Sequence, residues 1–236
     1  MIEAGLEFKG EINRVLNAFV TLPTSLRPIN FSQEEKIGSP ADLIDDGKRF
    51  SAFVAKSIAG VFLLSQTVTY SIRIAAGKSI VCDCFIDVLP DLAEQFLTHM
   101  ATARPLFGFA CESDEREHRN RVTTKQGANT IESWVGRDLE KYLPGFYWLT
   151  LLPDSLALKH GIPLPVVERS AKRRVVLPGG QNLFRFYDQP GDWRVMPVAT
   201  NLCAALPGVF DIEKLKPQLG IATNFLELNT MLRAWK

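Results

Sequence analysis

Three histidines and four cysteines are all that this chain offers for metal or covalent chemistry. His99, His118 and His160 are far apart in sequence, so local spacing builds no histidine-rich metal site. There is no His-Glu-x-x-His helix, no Gly-x-Ser-x-Gly elbow and no complete phosphate loop. Ala76-Gly77-Lys78-Ser79 matches only the end of such a loop, lacks the earlier glycine and leads into a strand, so it reads as a hairpin turn. No Cys-x-x-Cys occurs. Cys82, Cys84, Cys111 and Cys203 read as reduced, mostly buried thiols of a cytoplasmic protein. The start, Met-Ile-Glu-Ala-Gly, lacks the basic and apolar regions of a signal peptide. The longest apolar candidate, Ile58 to Ser65, is far short of the roughly 20 residues that span a bilayer. The expectation is a cytoplasmic chain with no membrane partner, no metal, no cofactor and no catalytic residues.

A strong excess of one charge is also missing. The 27 basic and 26 acidic side chains leave a net charge of +1, which argues against direct nucleic-acid binding. The distribution is uneven. Residues 1–118 hold 16 of the acids and 11 of the bases, and the rest of the chain is correspondingly basic.

What is present is an ordinary globular composition, 46% hydrophobic and 22% charged. Residues 3–9 alternate as a first strand. Ile12, Val15, Leu16 and Phe19 have helical spacing within Glu11 to Val20. Residues 22–47 carry Pro23, Pro28, Pro40, Gly38 and Gly47 and read as a long irregular segment. Gly47 to Ile58 reads as a short helix. Val68 to Ala75 and Ile80 to Ile86 form a hairpin, and Asp87 is placed to cap a helix carrying Leu92, Ala93, Phe96, Leu97 and Met100. Leu106 to Cys111 is a strand, 137–143 reads as a helix, and Phe146 to Leu152 as a further strand. A helix follows from Pro153 to Gly161. A second hairpin turns at Gly179-Gly180, and Asp211 to Leu215 and Asn224 to Trp235 are helical. These elements predict an α+β fold, a mixed or antiparallel sheet covered by helices. A single domain over residues 1–236 accounts for them, with a two-lobed arrangement divided near residue 120 left open.

Two aromatic landmarks stand out: Pro144-Gly145-Phe146-Tyr147-Trp148-Leu149-Thr150-Leu151-Leu152, and Gly179-Gly180 leading to Tyr187-Asp188-Gln189-Pro190-Gly191-Asp192-Trp193. Tyr147 and Trp148 fall on opposite sides of the predicted strand; burial as structural aromatics is the expectation, and an exposed one would be a binding hot spot. Asp188 and Asp192 flank the Pro190-Gly191 turn and are placed to bond its backbone. In this order and spacing, from Gly136 to Trp193, the pattern resembles immunity protein family 52 of the polymorphic toxin and type VI secretion systems. The resemblance implies a cytoplasmic antidote that binds a restriction-endonuclease-like toxin. It carries over Tyr147, Trp148, Tyr187, Asp188, Pro190, Asp192 and Trp193 as structural residues and implies no catalytic ones.

One segment is rich in carboxylates. Glu112, Asp114, Glu115 and Glu117 precede His118, interleaved with Arg116, Arg119 and Arg121. We expect these four acids to be exposed, with no bound ion, and to contact the cognate toxin, because a nuclease surface that attracts phosphates attracts them too. Two alternatives remain: a carboxylate-dependent metal enzyme built on 112–118, in which Asp114 and His118 would share a helix face, and a nucleic-acid-associated module using the basic C-terminal half. There, Arg169, Lys172, Arg173 and Arg174 read most simply as charges blunting a strand edge. The sequence leaves the oligomeric state and the toxin's identity open.

Overall fold

The first strand of the chain lies in the middle of its sheet. β1 (Ile2–Lys9) pairs on one side with β5 (Ser79–Ile86) and on the other with β6 (Phe107–Glu112), both antiparallel. The computed structural model describes residues 1–10, 12–33, 43–45, 47–56, 60–74, 79–86 and 90–236. Outward from β5 run β4 (Thr69–Ile74), β3 (Gly60–Leu64) and β2 (Asn30–Ser32). β7 (Arg121–Gln126) and β8 (Asn129–Trp134) form a separate hairpin. Beyond β6 lie β9 (Leu149–Pro153), β11 (Gln181–Arg185) and, at the edge, β10 (Arg173–Leu177). The nine strands of the large sheet are antiparallel at every junction. The α+β class is as the sequence pattern predicts, and the sheet is wholly antiparallel.

Alternation along β1 sets the two faces of the sheet. Ile2, Ala4, Leu6 and Phe8 are buried on one face with Cys82, Cys84, Tyr70 and Ile72. α1 (Ile12–Val20) and α3 (Pro90–Met100) cover them with Val15, Leu16, Phe19, Ala93, Phe96 and Leu97, the stripes read from the sequence. Tyr70 packs between Phe19 and Phe96, and its hydroxyl donates to the Leu26 carbonyl at 2.7 Å, which satisfies the one polar atom brought into this core. α2 (Gly47–Lys56) packs Phe50 and Phe53 on Phe31 of β2. The four cysteines are free and buried.

The C-terminal half adds α4 (Ser113–Asn120), α5 (Asp154–Lys159), α6 (Leu164–Ser170) and α7 (Val198–Ala205). α8 (Ile212–Leu219) and α9 (Phe225–Ala234) are capped by Asp211 and Asn224, whose side chains accept from Glu213 and Glu227 backbone N–H groups. With the β7–β8 hairpin they enclose a second, smaller core of Val122, Val135, Phe210, Ile212, Leu215, Leu228 and Leu232. Gly136 permits that junction: its φ is +72°, and a Cβ there would lie 2.2 Å from the Phe210 ring.

Several expectations change. Residues 137–143 form a turn rather than a helix. Asp138 accepts from the Glu140 N–H through its side chain and from Lys141 through its carbonyl. Gly136, with φ +72°, and Pro144, which disfavours a helical Leu143, disfavour helix at both ends of the segment. The strand expected from Phe146 begins only at Leu149. Because 144–148 is irregular, strict alternation does not apply there, and Tyr147 and Trp148 are both buried. The irregular segment 22–47 contains β2, bridged from Asn30 to Leu43. The Ala76–Lys78 turn and the Asp87 cap lie outside the described residues. The basic run ends in edge strand β10, where Lys172, Arg173 and Arg174 pair with Asp188, Glu94 and Glu168.

Candidate functional site

The second face of β1 presents Glu3, Gly5 and Glu7. Register fixes their neighbours: Asp83 and Phe109 flank Gly5, while Val81 and Phe107 flank Glu7. Arg73 of β4 pairs beside Val81. A Cβ at Gly5 would come within 2.4 Å of the Phe109 ring, so only glycine lets that ring lie across the strand. This grid is the floor of a cleft of about 860 Å³, a volume typical of ligand sites. Its walls are Arg116 from α4, Glu132, Ser133 and Trp134 from β8, and Arg137, Asp138, Pro144 and Tyr147 from the irregular loop.

Charge in the cleft is largely matched. Arg116 is buried against Glu3, with Asp83 at 3.6 Å, and its guanidinium lies 4.5 Å from the Phe109 ring centroid. Arg73 pairs with Asp83, Glu132 with Arg121, and Asp138 with Lys141. Among the described residues, three charged groups of the lining form no ion pair: Lys236, Glu7 and Arg137. Glu7 makes no side-chain hydrogen bond or ion pair; burial, then the nearby carboxylates Asp138 and Glu140, push its carboxyl up to about 7. Arg137 likewise has neither, and sits 5.6 Å from the Trp134 ring centroid, with Arg116 5.4 Å from the same ring. The Ser133 hydroxyl, on a residue only 6% exposed, has no partner.

The carboxylate segment is not the open acidic patch expected from its composition. Glu115 is fully buried, a correction with a clear cause: helix α4 packs this turn inward and gives the charge a partner. Arg119 donates to Glu115 at 2.8 and 3.1 Å, and the Trp148 N–H donates to it at 3.2 Å. Burial raises the Glu115 carboxyl and Arg119 pulls it back. Glu112 accepts from the Trp193 indole at 3.1 Å and pairs with Arg194, which also holds Asp114 at 2.7 Å. Glu117 pairs with Arg121 at 2.6 Å. Asp114 and Glu117 are exposed, Glu112 only partly. His118 lies against Trp193, held below its ordinary pKa by burial and by Arg119 and Lys216. Among the described residues, no three His, Cys, Asp or Glu side chains are grouped to hold a metal ion.

The two aromatic landmarks therefore meet at α4. Tyr147 donates its hydroxyl to Asn120 at 2.5 Å, and Asn120 donates to the Val135 and Pro144 carbonyls. The Trp148 indole donates to the Tyr187 carbonyl at 3.1 Å, and the Tyr187 hydroxyl accepts from Ala199 N–H. Asp192 accepts from the Gln189 N–H at 2.9 Å, capping the Pro190 turn as expected, whereas Asp188 turns to Lys172. α4 thus anchors the loop that walls the cleft. Sequence reading missed Glu3, Glu7, Asp83, Trp134 and Arg137 as site residues. The β7–β8 hairpin that carries Trp134 had a signal, β-branched residues flanking Gly127.

No family model, curated protein sequence or solved structure matches this chain. Among the described residues, no helix is long and apolar enough to cross a membrane.

Proposed function

We propose that this chain is an immunity protein, a cytoplasmic antidote that binds a cognate type VI nuclease toxin and holds it inactive. The cleft is the observation that supports this reading. Its walls carry arginines, Trp134 and Tyr147 over a rigid sheet floor, the residue types concentrated where proteins bind proteins. It contains no histidine or cysteine, and its one serine has no base beside it. Glu117 adjoins the rim through Arg121 and Glu132, so the exposed acids of α4 extend the same face. Glu115 belongs to the scaffold beneath it.

The test is co-expression with the product of the neighbouring reading frame. The expected result is protection of the host and co-purification at equal stoichiometry. A chain that neither protects nor co-purifies, or that shows metal-dependent catalysis when pure, overturns the proposal.

A further inference from the structure

The cleft holds unpaired charges of both signs. Glu7 stands on the sheet floor between Val81 and Phe107, without an ion-pair partner. The carboxylates nearest it, Asp138 and Glu140, are already engaged with Lys141 and Lys159. Arg137 faces the ring of Trp134, with the charges of Asp83 and Arg73 acting on it at longer range. A partly buried carboxyl and a guanidinium that form no ion pair are poorly solvated and unmatched. Each gains on meeting a complementary group.

We propose that the cleft receives a polypeptide segment carrying both signs of charge, with a lysine or arginine seated on Glu7 and a carboxylate on Arg137. The cleft's volume of about 860 Å³ accommodates several residues of such a segment. A divalent cation fits less well, because the Glu7 end lacks a third free ligand. A polyanion meets Glu7, Asp83, Glu132 and Asp138 in the same lining. Trp134 offers its ring beside Arg137, so the carboxylate docks at a guanidinium already oriented by stacking. As a deepening of the immunity reading, this inference rests on it and identifies the kind of toxin segment that enters the cleft.

The experiment uses the whole chain and three blocked peptides, each acetylated and amidated: Lys-Gly-Glu, Gly-Lys-Gly and Gly-Glu-Gly. Binding is followed by Trp fluorescence and calorimetry. The expected result is saturable binding of the mixed peptide, tighter than either single-charge peptide. Glu7→Gln weakens the two lysine peptides by about tenfold and leaves Gly-Glu-Gly unchanged; Arg137→Gln weakens the two glutamate peptides by about tenfold and leaves Gly-Lys-Gly unchanged. Both variants are checked for an unchanged fold by circular dichroism, and Glu168→Gln, exposed on α6 and outside the cleft, serves as a control that leaves all three affinities unchanged. No saturable binding, binding indifferent to both substitutions, or loss at one end only overturns the proposal. The peptide assay needs no toxin. Failed co-purification with successful peptide binding sinks the immunity reading alone, and the converse sinks this inference alone.

Discussion

The two faces of β1 hold the same strand in place by opposite means. On one, Ile2, Ala4, Leu6 and Phe8 disappear beneath α1 and α3. On the other, Glu3, Gly5 and Glu7 face a cleft in which most charges are paired, Glu7 and Arg137 being exceptions. The apolar face gains stability in proportion to the area it removes from water. The charged face gains little, since pairing mostly offsets desolvation. The difference teaches that the closed face supplies the strand's stability, while the open face adds little to it and stays accessible.

Substitutions across the strand sharpen that contrast. Phe8→Ala and Trp148→Ala empty fully buried sites and are expected to cost about 3–5 kcal/mol each in thermal or denaturant unfolding. Glu115→Ala belongs in the same range, about 3–5 kcal/mol, because Arg119 is left buried without its charge partner. A melting curve unchanged in Glu115→Ala would return this acid to the surface. Glu3→Ala is expected to cost less, about 1–3 kcal/mol, since Asp83 stands close enough to take over Arg116.

Glu7 reverses the sign. Its carboxyl is raised from 4.5 to about 7 in the folded chain, so between those values the native state keeps a proton that the unfolded chain has released. Stability therefore falls as pH rises through this window, and the full penalty is present above about 7. Glu7→Gln is expected to stabilise the protein by about 1–2 kcal/mol at pH 8, discounted for partial solvent access, and to change little at pH 4. A pH-independent difference between the two proteins would place Glu7 in ordinary solvent. The smallest effect is at Glu117, exposed on α4: Glu117→Ala should shift stability by no more than about 0.5 kcal/mol. Its consequence is kinetic. Charge reversal there is expected to slow toxin association at low salt, and an on-rate indifferent to both salt and reversal would remove α4 from the interface.

The closed face was the legible one. Stripes such as Val15–Leu16–Phe19 and Ala93–Phe96–Leu97 are local, and α1 and α3 formed where their periodicity put them. Asp211 and Asn224 likewise announced the helices they cap. The cleft was not legible, because its floor joins β1, β5 and β6 and its walls come from beyond residue 115. No short window contains Glu7, Asp83 and Arg137 together. In α4 the interleaving of acids and arginines was visible, but the burial of Glu115 with Arg119 depends on Trp148 and Tyr147 arriving from a distant loop. At 137–143 the composition favoured a helix, and Gly136 and Pro144 at its ends decided for a turn.

The central placement of β1 also orders the protein's assembly in time. This strand leaves the ribosome well before either of the strands that will flank it, Ser79–Ile86 and Phe107–Glu112. Until Glu112 has been made, one side of the future sheet centre has nothing to bond. The cleft floor cannot exist until then, and its walls come later still. Closing such long loops slows folding by their entropy, and it keeps Ile2 to Phe8 waiting as an unpaired apolar strand. Synthesis thus starts at the middle of the sheet, fills one side from edge strand β2 inward to β5, and only then adds β6, while the cleft is among the last parts to take shape.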